Sequence, residues 1–212
     1  MALPLALALL IPAVFGLGAT SADGARPIKI VALGDSLTAG YLLPADAAFP
    51  AALETALRRA GFRVSIVNAG VSGDTAEDGL ARLDWSVPDD ADGVILELGA
   101  NDMLRGLDPA RTRQTLDAIL ARLAARHIKV MIAGMRASPS LGADYGRAFD
   151  AIYPALAAKY QAPLYPFFLQ GVAGNKSLEL ADGLHPNRAG VATIVAQILP
   201  LAERFVRSVA SR

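Results

Sequence analysis

The chain has 212 residues, 53% of them hydrophobic and 19% charged, and contains no cysteine. Twenty basic residues balance twenty acidic ones, so it lacks the net positive field that a nucleic-acid binder or a polybasic membrane-surface protein needs. The missing cysteines exclude disulfides, thiolate chemistry, zinc ribbons and iron–sulfur clusters, and a chain of this length buries roughly 70% of its unfolded surface around one core without them.

Residues 1–18 carry no charged side chain and read Leu-Ala-Leu-Ala-Leu-Leu-Ile through their middle. Pro12 and Gly16 interrupt the apolar run, and the small residues Ala19, Thr20, Ser21 and Ala22 come after it. This is the pattern of a secretory signal peptide cleaved after Ala22, which sends residues 23–212 to the periplasm or the medium as one domain. An uncleaved anchor is the alternative, since about 18 apolar residues just span a bilayer, but Pro4 and Pro12 oppose a stable spanning helix.

Strands and helices then alternate. Residues 28–33 form an apolar run bounded by Pro27 and Gly34, as in a strand buried on both faces of a parallel sheet. Residues 49–60 show helical spacing closed by Gly61, and residues 64–67 and 94–98 read as the next two strands. Residues 111–127 form an amphipathic helix with Leu116, Ile119, Leu120 and Leu123 on one face. A fourth strand at 130–133 leads to a helix at 145–160, which Pro154 kinks or restarts. A short strand at 163–165 and a closing helix at 188–209 complete the chain. With no hairpin signal, the alternation predicts an α/β fold: a three-layer α/β/α sandwich around a five-stranded parallel sheet of flavodoxin-like order.

In such a fold, ligands bind at the carboxyl ends of the strands, and four loops there carry unusual chemistry. After the first strand comes Gly34-Asp35-Ser36-Leu37-Thr38, where Ser36 suits a nucleophile, a phosphate cradle or a plain helix cap. The spacing is not that of the G-x-S-x-G elbow. After the second strand, Asn68-Ala69-Gly70-Val71-Ser72-Gly73-Asp74 can turn backbone amides toward an anion, with Asp74 capping a helix that starts near Thr75. After the third, Gly99-Ala100-Asn101-Asp102 offers a neutral amide donor. Before the last helix, Asp182-Gly183-Leu184-His185-Pro186 sets a carboxylate three residues from an imidazole, close enough to accept its Nδ1 proton and leave Nε2 free. The second histidine, His127, ends the amphipathic helix and suits a solvent-facing role at the negative end of the helix dipole.

Taken together, in this order and near these intervals, the four blocks resemble the GDSL or SGNH hydrolases. They are most similar to the bacterial periplasmic thioesterase/lysophospholipase/arylesterase branch, over essentially residues 28–201. The resemblance implies that Ser36 is the nucleophile, His185 the base and Asp182 its orienter. It also implies an oxyanion hole made by the Ser36 and Gly73 amides and the Asn101 side chain, with Gly70 as a turn residue. The substrates implied are small acyl esters and thioesters, among them aryl esters, lysophospholipids and acyl-CoA, with no cofactor, no metal and no obligate protein partner. Leu104, Leu107, Leu141, Tyr145, Phe167 and Phe168 lie in loops near the strand ends and are candidates to line an acyl groove, overhung by residues 135–145. Two other readings remain. One is a carbohydrate deacetylase of the same superfamily, disfavoured by an aromatic content of only 6%. The other is a flavodoxin-like phosphate- or flavin-binding protein holding its ligand at Ser36 and Thr38.

Overall fold

A computed structural model describes residues 26–211, so the segment read as a signal peptide, with its cleavage point after Ala22, lies outside the described residues. Five parallel strands make one sheet in the order β2-β1-β3-β4-β5: β1 Ile28–Gly34, β2 Val64–Gly70, β3 Gly93–Glu97, β4 Lys129–Ala133 and β5 Leu164–Tyr165. The helices are α1 Ser36–Ala39, α2 Phe49–Arg59, α3 Ala76–Ala81, α4 Leu83–Ser86, α5 Ala100–Leu104, α6 Pro109–Ala125, α7 Ala143–Asp150, α8 Ile152–Tyr160 and α9 Arg188–Ala210.

The apolar runs become the central strands because both faces of the sheet are covered. Within β3, alternate residues point to opposite layers. Gly93 faces Phe205 and Val209 of α9, whereas Leu96 meets Leu116 and Leu120 of α6 and Leu156 of α8. α2 packs beside α9 on the first face. The result is the three-layer sandwich, with its topological switch between β1 and β3.

Several boundaries differ from expectation for local reasons. The helix expected at 111–127 begins at Pro109, because Asp108 accepts the Ala110 amide at 2.9 Å and proline is tolerated in the first turn. It ends at Ala125, and His127 turns out of it in a left-handed conformation, φ 55°. The helix expected at 145–160 is two helices joined at Ala151, and Pro154 falls in the first turn of α8, where its missing N–H costs nothing. Asp74 does not cap α3. Thr75 does, in a capping box with Asp78, and Asp74 instead pairs with Arg82 at 2.6 Å. Gly70 is not a turn residue either: it is the last residue of β2, opposite Gly34.

Strand register levels the floor of the loops. Gly34 lies opposite Gly70 on one side and Glu97 on the other, so the adjacent strands β2, β1 and β3 end level with one another. A Cβ at Gly34 would stand 2.1 Å from Thr38 Oγ1 and 2.7 Å from both the Glu97 carbonyl and its Oε2. Gly34→Ala is therefore expected to lose about 3 kcal/mol or more in urea unfolding, since backbone on one side and a buried carboxyl on the other cannot give way. Gly146→Ala, mid-helix with nothing within 4 Å of the new methyl, should gain about 0.5–1 kcal/mol in the same measurement.

Candidate active site

Ser36 comes directly after β1 and Asp35 as the first residue of α1, so its amide has no acceptor within the helix. Asp35 caps that helix, its Oδ1 accepting the Leu37 amide at 2.9 Å. Arg82, which no sequence pattern singles out, reaches beneath this junction and donates to the carbonyls of Gly34 at 2.8 Å and Ala69 at 2.9 Å. One guanidinium thereby ties the ends of β1 and β2 together.

The loop before α9 brings a second set of groups to Ser36. Glu179 and Pro186 form an isolated antiparallel bridge, and Leu180 donates to the His185 carbonyl at 2.7 Å, closing a tight loop around 182–185. Within it, Asp182 Oδ1 accepts the amides of Leu184 at 2.9 Å and His185 at 3.0 Å, while Oδ2 lies 2.7 Å from His185 Nδ1. His185 Nε2 lies 2.9 Å from Ser36 Oγ. A carboxylate is an acceptor only, so Nδ1 carries the ring proton, and Nε2 is left to accept from the serine hydroxyl. Tyr41 packs against the imidazole at a tilt of 37° with centroids 4.5 Å apart, restricting rotation of the ring. The two backbone amides, joined by the ring N–H, hold the Asp182 carboxyl down at about 2. Because that value is depressed, its contribution to the loop's stability is complete above the ordinary carboxyl range and fades as pH falls toward 2.

The third strand's loop faces the same point. Asn101 Nδ2 donates to the Asp74 carbonyl at 3.0 Å and to Asp35 Oδ2 at 3.2 Å. Asp102 fixes its neighbour's position by accepting from the Ala76 amide at 2.8 Å and the Thr112 hydroxyl at 3.1 Å, which joins α5 to α3 and α6. Gly73 sits in the loop after β2 with φ 91°, a conformation that suits glycine, and Arg105 donates to its carbonyl at 2.7 Å.

Ser36, Asn101 and His185 open onto a cavity of about 400 Å³. Of the candidate acyl-groove residues, Leu104 and Phe167 line it. Leu107, Leu141, Tyr145 and Phe168 do not: Phe168 is fully buried edge-on against Phe49, and Tyr145 stacks on Phe149 and donates to the Leu107 carbonyl. Leu37, Met103, Met135, Leu169 and Leu184 take their places, and 136–139 close one side. Met135 belongs to the stretch expected to overhang the site, no sequence signal singles out Leu37, and nothing local tells Phe167 from Phe168. Thr38, a candidate phosphate ligand by sequence, is buried and donates to Glu97 Oε2 at 2.7 Å.

The sequence profile of the GDSL-like lipase/acylhydrolase family matches residues 32–192. The chain belongs to that family. It is 42% identical over 160 residues to "Thioesterase 1/protease 1/lysophospholipase L1" of Escherichia coli K12, covering 75% of this chain and 76% of that protein. It is 39% identical over 178 residues to "Arylesterase" of Vibrio mimicus, covering 81% and 88%. The crystal structure of AlinE4, an SGNH-hydrolase family esterase, superposes with a TM-score of 0.73 at 48% identity over 86% of this chain and 98% of that one. Like these relatives, this GDSL-family member is a hydrolase of ester bonds on the SGNH-hydrolase fold.

The hydrogen-bond chain has a spectroscopic consequence. The His185 Nδ1 proton, held on Asp182, should give a far-downfield proton resonance in the wild type that is absent from Asp182→Asn and unchanged in His127→Gln. Its persistence in Asp182→Asn would reassign the ring's partner.

Proposed function

We propose that this GDSL-family hydrolase cleaves acyl esters and thioesters through a covalent acyl-enzyme on Ser36, with His185 as general base and Asp182 as its orienter. The observation that carries the reading is the continuous Asp182–His185–Ser36 hydrogen-bond chain ending at the floor of an apolar cavity. Ser36 Oγ attacks the acyl carbon while its proton passes to His185 Nε2, and the carbonyl oxygen becomes an oxyanion. The amides of Ser36 and Gly73 and the side chain of Asn101 are its donors in this reading, each typically contributing roughly 3 kcal/mol to the transition state. Collapse of the tetrahedral intermediate breaks the bond to the alcohol or thiol, which leaves with the proton from His185. Water, deprotonated by the same imidazole, then releases the acid and restores the hydroxyl. Asp182 stays an anion throughout, stabilising the imidazolium formed in both steps.

The apolar lining favours the acyl side of the substrate, and the Leu104 and Leu184 side chains, both more than half exposed, extend that lining to the surface. Aryl esters, lysophospholipids and acyl-CoA all present an acyl chain to such a cavity, in keeping with the activities named for the relatives. Export fits the same picture: the uncharged apolar stretch over 1–18 with small residues after it is read as a cleaved signal, with residues 23–212 acting as one domain in the periplasm or the medium.

Three outcomes test the proposal with nitrophenyl esters of increasing chain length, lysophospholipid and acyl-CoA. Ser36→Ala should remain folded and lose ester and thioester hydrolysis together; turnover like the wild type in that variant contradicts the mechanism. Asn101→Ala should lower kcat by about 100-fold with KM little changed, because its amide acts on the transition state. Asp182→Asn should cut kcat by up to about 10⁴-fold, through loss of the productive tautomer.

A further inference from the structure

Beneath the serine lies a pair of carboxyl groups that take no part in the acyl transfer itself. Asp35 and Glu97 are both wholly buried. Glu97 Oε2 accepts from the Thr38 hydroxyl at 2.7 Å and from the Asp35 amide at 3.4 Å, while its Oε1 is buried without a partner among the described residues. The Asp35 backbone bonds to Glu97 directly, so the two carboxyl groups are close neighbours in the same buried pocket, and the charge of Asp35 acts on Glu97. Two buried carboxylates cannot both be charged there without a cation between them, and one orphaned oxygen beside a second carboxyl is satisfied at once if it carries a proton. Burial drives both groups upward, Asp35 to about 6 and Glu97 well above the ordinary carboxyl range, with the charge of Asp35 adding to the rise in Glu97.

Asp35 in turn touches the amide of Asn101. A side-chain amide has two nearly identical ends, and a reversed one would set its carbonyl oxygen against an oxyanion. Here two acceptors, the Asp74 carbonyl and Asp35 Oδ2, meet the nitrogen and dictate which end is presented. They also occupy both N–H hydrogens, so an oxyanion must share or displace one of them. The 3.2 Å bond to Asp35 is the longer of the two and the one to give way. A proton shared with Glu97 lowers the acceptor strength of Asp35 and leaves that N–H available.

We propose that Asp35 is a positioning residue that selects the donating face of Asn101, and that Glu97 holds a single proton shared between the two carboxyl groups. The proposal rests on the oxyanion role of Asn101 and extends it downward by one layer.

A double-mutant cycle tests it. In Asp35→Asn the cap oxygen for Leu37 can be kept while an N–H now faces the Asn101 nitrogen, so that amide loses one of the two acceptors that fix it and is pushed out of its donating position. The expected result is a fall in kcat of about 10-fold or more with KM within about twofold, and no further loss when the same change is made in Asn101→Ala. Asp35→Ser, which keeps a cap oxygen and removes the second acceptor, repeats the test should the asparagine variant fold poorly. Losses that multiply in the double variant would overturn the positioning role while leaving Asn101 as a donor. Full kcat in Asn101→Ala alone would remove the oxyanion reading, and this proposal with it. The proton has its own readout. At mildly alkaline pH, where ordinary carboxyl groups are ionised, the infrared spectrum of the wild type should retain a carboxylic-acid carbonyl band that disappears in Glu97→Gln. A wild type without that band overturns the shared proton.

Discussion

Ser36 and His185 meet at 2.9 Å across 149 residues of chain, and the rest of the structure exists to hold that contact. A single hydrogen bond contributes about 1 kcal/mol net and cannot position its own partners. Both residues are therefore fixed by what surrounds them. Ser36 is placed by the fully buried end of β1 and by the Asp35 cap. His185 is placed by the Glu179–Pro186 bridge, the two amides on Asp182 and the ring of Tyr41. The loop then runs into α9, whose Ile194, Ile198 and Phe205 are locked in the core. A rigid scaffold supplies the precision that these two side chains lack on their own.

The floor of the site carries a cost. Asp35, Glu97, Asp102 and Arg82 are polar or charged and buried at the switch point of the sheet, where apolar side chains would contribute more to stability. Apart from Glu97 Oε1, their polar atoms are matched: Arg82 to Asp74 and two strand carbonyls, Asp102 to an amide and a hydroxyl, Asp35 to the Leu37 amide and Asn101, and Glu97 Oε2 to Thr38. This network stiffens the three loops relative to one another, and Gly34 is the residue that leaves room for it. The family's Gly-Asp-Ser-Leu block is thus as much a packing solution as a set of functional groups.

Much of this is legible in the sequence. The strands are visible as short apolar runs because both faces of a parallel sheet are covered, and Ser36, Asp182 and His185 stand out because glycine and proline fix the loops that carry them. The misses share a cause. Arg82 and Glu97 act through contacts 48 and 59 residues away, which no local pattern reports. Asp74 looks like a cap because the helix signal sits beside it, yet Thr75 with Asp78 makes the better box and frees Asp74 for Arg82. Phe167 and Phe168 are adjacent and alike in chemistry, and only the turn after β5 decides which enters the cavity and which enters the core.

The most direct measurement is chemical. The protein is incubated with a nitrophenyl alkylphosphonate, whose phosphorus mimics the tetrahedral acyl carbon, then digested and analysed by mass spectrometry. The expected result is a single stoichiometric adduct on the peptide containing Ser36, formed together with loss of esterase activity and slowed in Asp182→Asn. Ser138 also lines the cavity and is the nearest competitor in chemical type. An adduct on Ser138, or full inhibition with Ser36 unmodified, would contradict the assignment of the nucleophile and the mechanism built on it.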